Sequence, residues 1–125
     1  MKIKTSELTG KALDWAVARV TACDVKINEN KNISATFNGC RYAACWEPSS
    51  DWSICGQLIE KYIDDFTHMA FRGDHWVANC RAVRVGDFSI FKTQTGDTPQ
   101  IAICRAVVAA QLGDEVEIPD ELVEE

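Results

Sequence analysis

Cys55, Cys80, His68, His75, Asp51 and Asp74 are the side chains of this chain from which a nucleophile–base pair could be assembled. Their spacing fixes no mutual geometry. Asp74 and His75 are adjacent, and adjacent residues on a strand point to opposite faces, so a base and its orienting carboxylate do not come from that pair. A metal set of His68, His75 and a carboxylate lacks the i, i+4 helical spacing that brings two imidazoles together. No catalytic residue, metal ligand or cofactor site is assigned. A small enzyme using Asp, His and Cys chemistry ranks behind two kinds of binding protein.

The stronger constellation is polar and non-catalytic. Ser49, Ser50, Asp51 and Trp52 place hydroxyls, a carboxylate and an indole in one short loop, the set that hydrogen-bonds and stacks on a polar ring ligand. Thr98 opens a helix whose first amides can receive an anion, and Arg105 adds a guanidinium two turns further on. These six residues are the expected ligand-binding set, with Arg105 reaching the edge of a pocket formed with Asp51 and Trp52. Each also has a scaffold alternative. Ser49, Ser50 and Asp51 would cap the following helix, Trp52 would be core, and Arg105 would pair with Asp51 or Asp14.

The element that must position Thr98 and Arg105 is Thr98 to Gly113. Thr98 suits the N-cap, Pro99 the first helical position and Gly113 the left-handed residue that ends a helix. Ile101 to Cys104, Ala106 to Ala110 and Leu112 cover almost the whole circumference, so this helix is buried on more than one side. Arg105 is its one charge.

Thr9 reads as the N-cap of a first helix, with Leu8 and Leu13 at hydrophobic-staple spacing. Ala12, Leu13, Ala16, Val17 and Val20 form its apolar stripe; Asp14 lies off that stripe, and Trp15 and Arg19 are placed to stack. After a polar break at Asn28 to Asn32, Ile33 to Trp46 reads as a hairpin. A two-residue Asn38-Gly39 turn there pairs Phe37 with Cys40, Ala35 with Tyr42 and Ile33 with Ala44. Leu58, Ile59, Tyr62, Ile63 and Phe66 mark one face of a second helix, and His68 to His75 is a connection. Trp76 to Val85, apolar on parts of both faces, reads as a strand inside a sheet that turns at Gly86-Asp87 into Phe88 to Lys92. That turn sets Val85 opposite Phe88 and Val83 opposite Ile90. Thr93 to Asp97 is read as a loop. The order α-ββ-α-ββ-α predicts an α+β fold, an antiparallel four-stranded sheet from two hairpins packed against two to three helices.

The chain has 125 residues, enough for one domain with a sizeable core. No apolar run approaches the ~20 residues that span a bilayer, and the first ten residues carry no signal-peptide core, which predicts a cytosolic protein with no membrane partner. Six cysteines without a C-x-x-C pair then read as thiols in and around the core. Of 19 acids, seven fall in residues 114–125 without one base, leaving thirteen bases against twelve acids before them. The expected organisation is a globular domain over 1–113 and a solvated acidic tail over 114–125. That tail argues against nucleic-acid binding, as does the alternation that splits Arg81 from Arg84 across the sheet and scatters a patch with Arg72 and Lys92.

Several stretches together resemble the NinX-like family of small phage and prophage proteins. They are Leu8-Thr9-Gly10, Leu13-Asp14-Trp15-Ala16-Val17-Ala18, Pro48-Ser49-Ser50-Asp51-Trp52, Leu58-Ile59-Glu60, Trp76-x-Ala78, Thr98-Pro99, Ala102, Arg105-Ala106, Leu112-Gly113-Asp114-Glu115-Val116 and Pro119-x-x-Leu122. Cys55-Gly56-Gln57 stands where the family pattern has Gly-Gly-Pro, and Ser50 where it has Thr. The resemblance implies a phage accessory protein in the host bacterial cytoplasm and carries no biochemical activity with it. With the polar constellation it favours a non-catalytic module that sequesters a small polar, nucleotide-like host molecule. The alternative is a module that binds a host or phage protein, and self-association into a homo-oligomer stays open.

Overall fold

The chain runs β1 (Lys2–Lys4), α1 (Gly10–Thr21), β2 (Asp24–Ile27), β3 (Ile33–Phe37), β4 (Arg41–Ala43), α2 (Trp52–Tyr62), β5 (Ile63–Met69), β6 (His75–Val85), β7 (Phe88–Gly96), α3 (Pro99–Leu112) and β8 (Glu115–Glu117). Single 3-10 turns at Thr5–Glu7 and Asp120–Leu122 adjoin the ends. The computed structural model describes residues 1–37, 41–43, 45–69, 75–85 and 88–123, with residues 41, 42, 61, 62, 64–69, 75, 81–85 and 88–91 described by backbone alone.

α3 is the pillar its composition predicts. Thr98 Oγ1 accepts from Ile101 N at 3.2 Å, Pro99 opens the first turn, and Gly113 closes the helix at φ 91°. Ala102, Ile103, Cys104, Ala106, Val107 and Val108 are wholly buried because partners stand on several sides. β5, β6 and β7 lie against α3, as do α1, α2 and β8. α1 in turn packs on β2 and β3. One residue sets how closely β7 approaches α3: a Cβ on Gly96 would lie 2.6 Å from Ala102 N and 3.0 Å from Ile101 Cβ.

The fold is α+β, but the expected single four-stranded sheet is replaced by three antiparallel sheets, β1-β8, β2-β3-β4 and β5-β6-β7. Four strands escaped the sequence reading: β1 and β8, which pair with each other, and β2 and β5. Asp24–Ile27 is only four residues long, and the polar break after it is a hairpin turn, closed by Asn28 N to Asn32 O at 3.0 Å with Lys31 in the left-handed region at φ 63°. Ile63 and Phe66 continue the helical period of α2 by coincidence. The helix instead stops at Tyr62, and Ile63–Met69 pairs with the long central β6, Ile63 opposite Cys80 and Met69 opposite His75. β6 is central as expected, with Val83 opposite Ile90 and Val85 opposite Phe88, while β7 absorbs the expected loop as far as Gly96. The Gly86-Asp87 turn lies outside the described residues.

The register of the first hairpin is corrected by one residue. Phe37 faces Arg41, Thr36 faces Tyr42 and Ala35 faces Ala43, so three residues, not two, connect the strands. Residues 38–40 and Ala44 lie outside the described residues. The apolar alternation used to set the register had lost its power, because β3 is the central strand of its sheet and Ile33, Ser34 and Ala35 are buried in succession.

The solvated tail is also corrected. β8 runs antiparallel to β1 with Ile3 opposite Val116, and Val116, Ile118 and Leu122 are buried while the intervening acids face water. Thr5 locks this ribbon to the end of α3: its buried hydroxyl donates to Gly113 O at 2.7 Å, and its amide to Asp114 O at 2.8 Å.

Candidate functional site

Asp14 is the one charged side chain among the described buried residues, 4% exposed in the first turns of α1. Its helical neighbours three and four residues on, Val17 and Ala18, are wholly buried, so the acid is carried inward with them. Oδ1 accepts from Ser49 N at 2.8 Å, which ties α1 to the loop before α2. Burial pushes the carboxyl from an ordinary 3.8 up to about 6; the Ser49 amide and hydroxyl oppose this, and the Glu47 carboxylate adds to it. Behind Asp14, in the packing of α2 against α3, lie the buried thiols of Cys55 and Cys104. Burial foremost raises Cys104, the hydrogen bond from Cys104 lowers Cys55, and the Asp14 charge raises both.

Asp14 opens on its other side to a cleft of about 220 Å³ lined by Gly10, Lys11, Asp14, Asn32, Ile33, Trp46, Glu47, Ser49 and Ser50. Three elements meet here. The first turn of α1 contributes Gly10, held in the left-handed region at φ 57°. The start of β3 contributes Asn32 and Ile33, and the loop into α2 contributes the rest. Trp46 N donates to Ile33 O at 2.8 Å, which continues the β3 edge into that loop, and its ring packs on Phe37 with centroids 4.9 Å apart. The indole is 7% exposed, and its Nε1–H is buried without an acceptor. Lys11 Nζ is engaged by Asn30 O at 3.2 Å. The cleft therefore offers a buried carboxylate, two serines and an asparagine, while the Trp46 N–H is closed off from solvent.

Of the six residues expected to share a ligand surface, only Ser49 and Ser50 line this cleft. Asp51 caps α2, its Oδ1 accepting from Ser53 N at 2.9 Å and Ser53 Oγ at 2.7 Å, and these two bonds hold its carboxyl below the ordinary value. Trp52 is not core: it is 50% exposed on the first residue of α2. Thr98 caps α3. Arg105 meets neither Asp51 nor Asp14 in an ion pair. Its Nε donates to Leu8 O at 2.9 Å and one terminal NH to Thr95 O at 2.8 Å, fastening the approach to α1 and the end of β7 onto α3. Burial lowers its pKa and the nearby Asp97 charge opposes that.

Asp14 and Trp46 were missed as a site because nothing local joins them. The available signal was an acid whose i+3 and i+4 neighbours are both apolar. Among the residues weighed for chemistry, Cys55 and Cys80 are buried, and Cys23, Cys45 and Cys104 with them form no disulfide. The side chains of His68 and His75, all of Asp74, and Cys40 lie outside the described residues. Among the described residues no group of three or more His, Cys, Asp or Glu is placed to hold a metal ion, and no helix is long and apolar enough to cross a membrane.

The family described as Bacteriophage P22, NinX matches residues 4–111. The chain belongs to that family. No curated protein matches it. The matched span contains every residue that lines the cleft. Within it, the stretch around Gly10 and Asp14 and the stretch Pro48 to Trp52, which carried the resemblance to NinX proteins, are the two that the Ser49–Asp14 hydrogen bond joins.

Proposed function

We propose that this NinX-family protein is a non-catalytic binding module of the host bacterial cytoplasm that sequesters a small polar host molecule in the cleft between α1, β3 and the loop before α2. The observation that carries the reading is a buried carboxylate, Asp14, in the wall of a cleft, with no counter-charge among the described residues. Buried charges in native proteins are compensated as a rule, and one left without a counter-charge in a cavity wall is a place where a polar ligand group would compensate it. The volume of about 220 Å³ is below the ~300–1,000 Å³ of drug-sized sites, so the cleft encloses a small polar head. A nucleotide-like ligand would seat one ring there and leave its remainder in solvent.

A protein-binding role rests on Trp52 alone, a half-exposed indole at the start of α2. Single exposed apolar side chains are common on soluble proteins, so it stands second.

The test is to purify the protein from infected and uninfected host cells, denature it, and identify released small molecules by mass spectrometry. A Ser50→Trp variant, which fills the cleft from an exposed rim position, serves as the control. The reading expects a molecule released from the wild type and absent from the variant. Equal release from both, or from neither, refutes it.

A further inference from the structure

Two of the buried thiols stand together. Cys55 lies in the first turn of α2 and Cys104 in the middle of α3, two helices that pack on each other, and neither side chain reaches solvent. The two thiols are hydrogen-bonded to each other across that packing. They are remote in sequence, so only the fold brings them into contact. Sulfurs at hydrogen-bond range need a short approach to reach the ~2.05 Å of a disulfide. Both are reduced, and among the described residues they belong to no metal-ligating group.

The two members are not equivalent. Cys104 donates to Cys55 and so lowers the Cys55 thiol, while burial foremost raises Cys104 and the Asp14 charge raises both. Cys55 also sits one turn from the amino end of α2, its amide donating to the carbonyl of the capping Asp51 at 2.9 Å. At that end of a helix the dipole favours a thiolate. Cys55 is therefore the better nucleophile and Cys104 the thiol that resolves it.

We propose that Cys55 and Cys104 form a redox lock, in which a small peroxide joins them as a disulfide that fastens α2 to α3. The Cys55 sulfur attacks one oxygen of hydrogen peroxide and the O–O bond breaks, leaving a sulfenic acid on Cys55 and one molecule of water. The Cys104 sulfur then attacks the Cys55 sulfur. The S–O bond breaks, and the hydroxyl leaves with the Cys104 proton as a second water. The two thiols together lose two electrons, and the peroxide gains them. Because both sulfurs are closed off from solvent, the oxidant has to be small and uncharged, entering as α2 opens locally from α3. In a reducing cytosol the resting form is the dithiol. The bond closes a loop from residue 55 to residue 104 that contains β5, β6 and β7, which places the whole three-stranded sheet under the constraint. The lock is independent of what the cleft binds.

The test treats the full-length protein at low concentration with hydrogen peroxide, alkylates the remaining thiols under denaturing conditions, and maps the disulfides by mass spectrometry. A second sample is oxidised in concentrated urea. The expected result is a Cys55–Cys104 bond in most of the folded protein and in little of the unfolded one, opened again by dithiothreitol. The oxidised protein should melt at a midpoint higher by roughly 5–15 °C, the scale of a disulfide that closes a long loop in a domain of this size. In Cys104→Ala that rise should be absent. The mapping is read on the wild type, so it decides the matter even where that variant does not fold. The inference is overturned if Cys55 and Cys104 remain thiols after the exposed Cys23 and Cys45 have been consumed, or if either joins Cys80 or another cysteine instead. It is overturned equally by a bond that forms as readily in urea, by a midpoint that stays unchanged or falls, and by a rise that survives Cys104→Ala.

Discussion

Replacing Asp14 by Asn should stabilise this protein at neutral pH. Burial moves the carboxyl from 3.8 to about 6, a displacement of roughly two pH units, and one unit corresponds to ~1.4 kcal/mol. The folded carboxyl holds its proton more tightly than the unfolded one, so protonation favours the fold. Above pH 6 the penalty is complete at about 3 kcal/mol; it shrinks as pH falls from 6 towards 3.8 and is gone below that. Asn carries no charge, and its Oδ1 can keep the Ser49 amide. Its NH₂ must find an acceptor in the same wall, and a poorly satisfied buried donor costs about 1 kcal/mol or more. The net gain expected near pH 7.5 is therefore about 1–2 kcal/mol, a rise in melting temperature of roughly 3–10 °C for a domain of this size. Urea melts of the wild type and Asp14→Asn at fixed ionic strength, from pH 3.5 to 8, check this directly. Taking the difference cancels the other carboxylates, including Asp51, whose lowered pKa acts in both proteins. The wild type should equal or exceed the variant at the acid end and fall below it as pH rises towards and past 6. A variant less stable at neutral pH, or a difference that does not change with pH, refutes the reasoning that Asp14 is buried without its counter-charge.

Three further outcomes follow from the packing. Arg105→Met frees the carbonyls of Leu8 and Thr95 and should cost about 2 kcal/mol in denaturant melts, below the ~3 kcal/mol of two buried charge-assisted bonds because the site is half-exposed; adding Asp51→Asn should restore none of it, since the Asp51 carboxylate bonds Ser53 of its own helix. Gly96→Ala should lower stability by ~1–3 kcal/mol, because the new Cβ meets backbone at Ala102 N; an unchanged midpoint would show that β7 can shift off α3 freely. Leu122→Ala should cost about 2–3 kcal/mol, and truncation after Pro119 at least as much, because Leu122 is 5% exposed against the core; equal melting of full and truncated chains would show that the docking carries no stability.

What the sequence made legible was local. α3 was readable because Thr98, Pro99 and Gly113 bracket it chemically and its apolar residues run all the way round. The β6–β7 register was readable because the sequence leaves two residues, Gly86 and Asp87, between Val85 and Phe88, which are opposed. Where the information was tertiary the reading slipped. A central strand buried on both faces carries no alternation to fix its partner, so β3 and β4 were set one residue out. In residues 114–122 the count of acids hid a period-two pattern in which Val116 and Ile118 turn inward between them. The residues of the cleft proposed here were the least legible. Ser49 and Ser50 were named for their hydroxyls, yet Ser49 matters first through its backbone amide, which any residue but proline would supply. Arg105 was singled out correctly as a charge that had to be satisfied, but two main-chain carbonyls do that work, and no sequence pattern announces which carbonyls a fold will bring to a guanidinium.

That contrast bears on how the cleft should be read. The polar groups that this fold uses for its own assembly are matched to partners: Thr5 to Gly113, Arg105 to Leu8 and Thr95, Asp51 to Ser53, and the buried hydroxyl of Ser34 to Lys26 O. The Asp14 carboxylate differs, because its donors, the amide and hydroxyl of Ser49, are neutral and nothing described neutralises its charge. Trp46 differs too, because its indole N–H has no acceptor. A core under selection for stability alone would replace Asp14 by a neutral residue of similar volume and lose little, since neutral donors from Ser49 do not offset the burial of a charge. Two such exceptions on one chain could be unrelated accidents of packing. Both residues line a single cleft, and that coincidence is why we propose that the cleft holds a ligand.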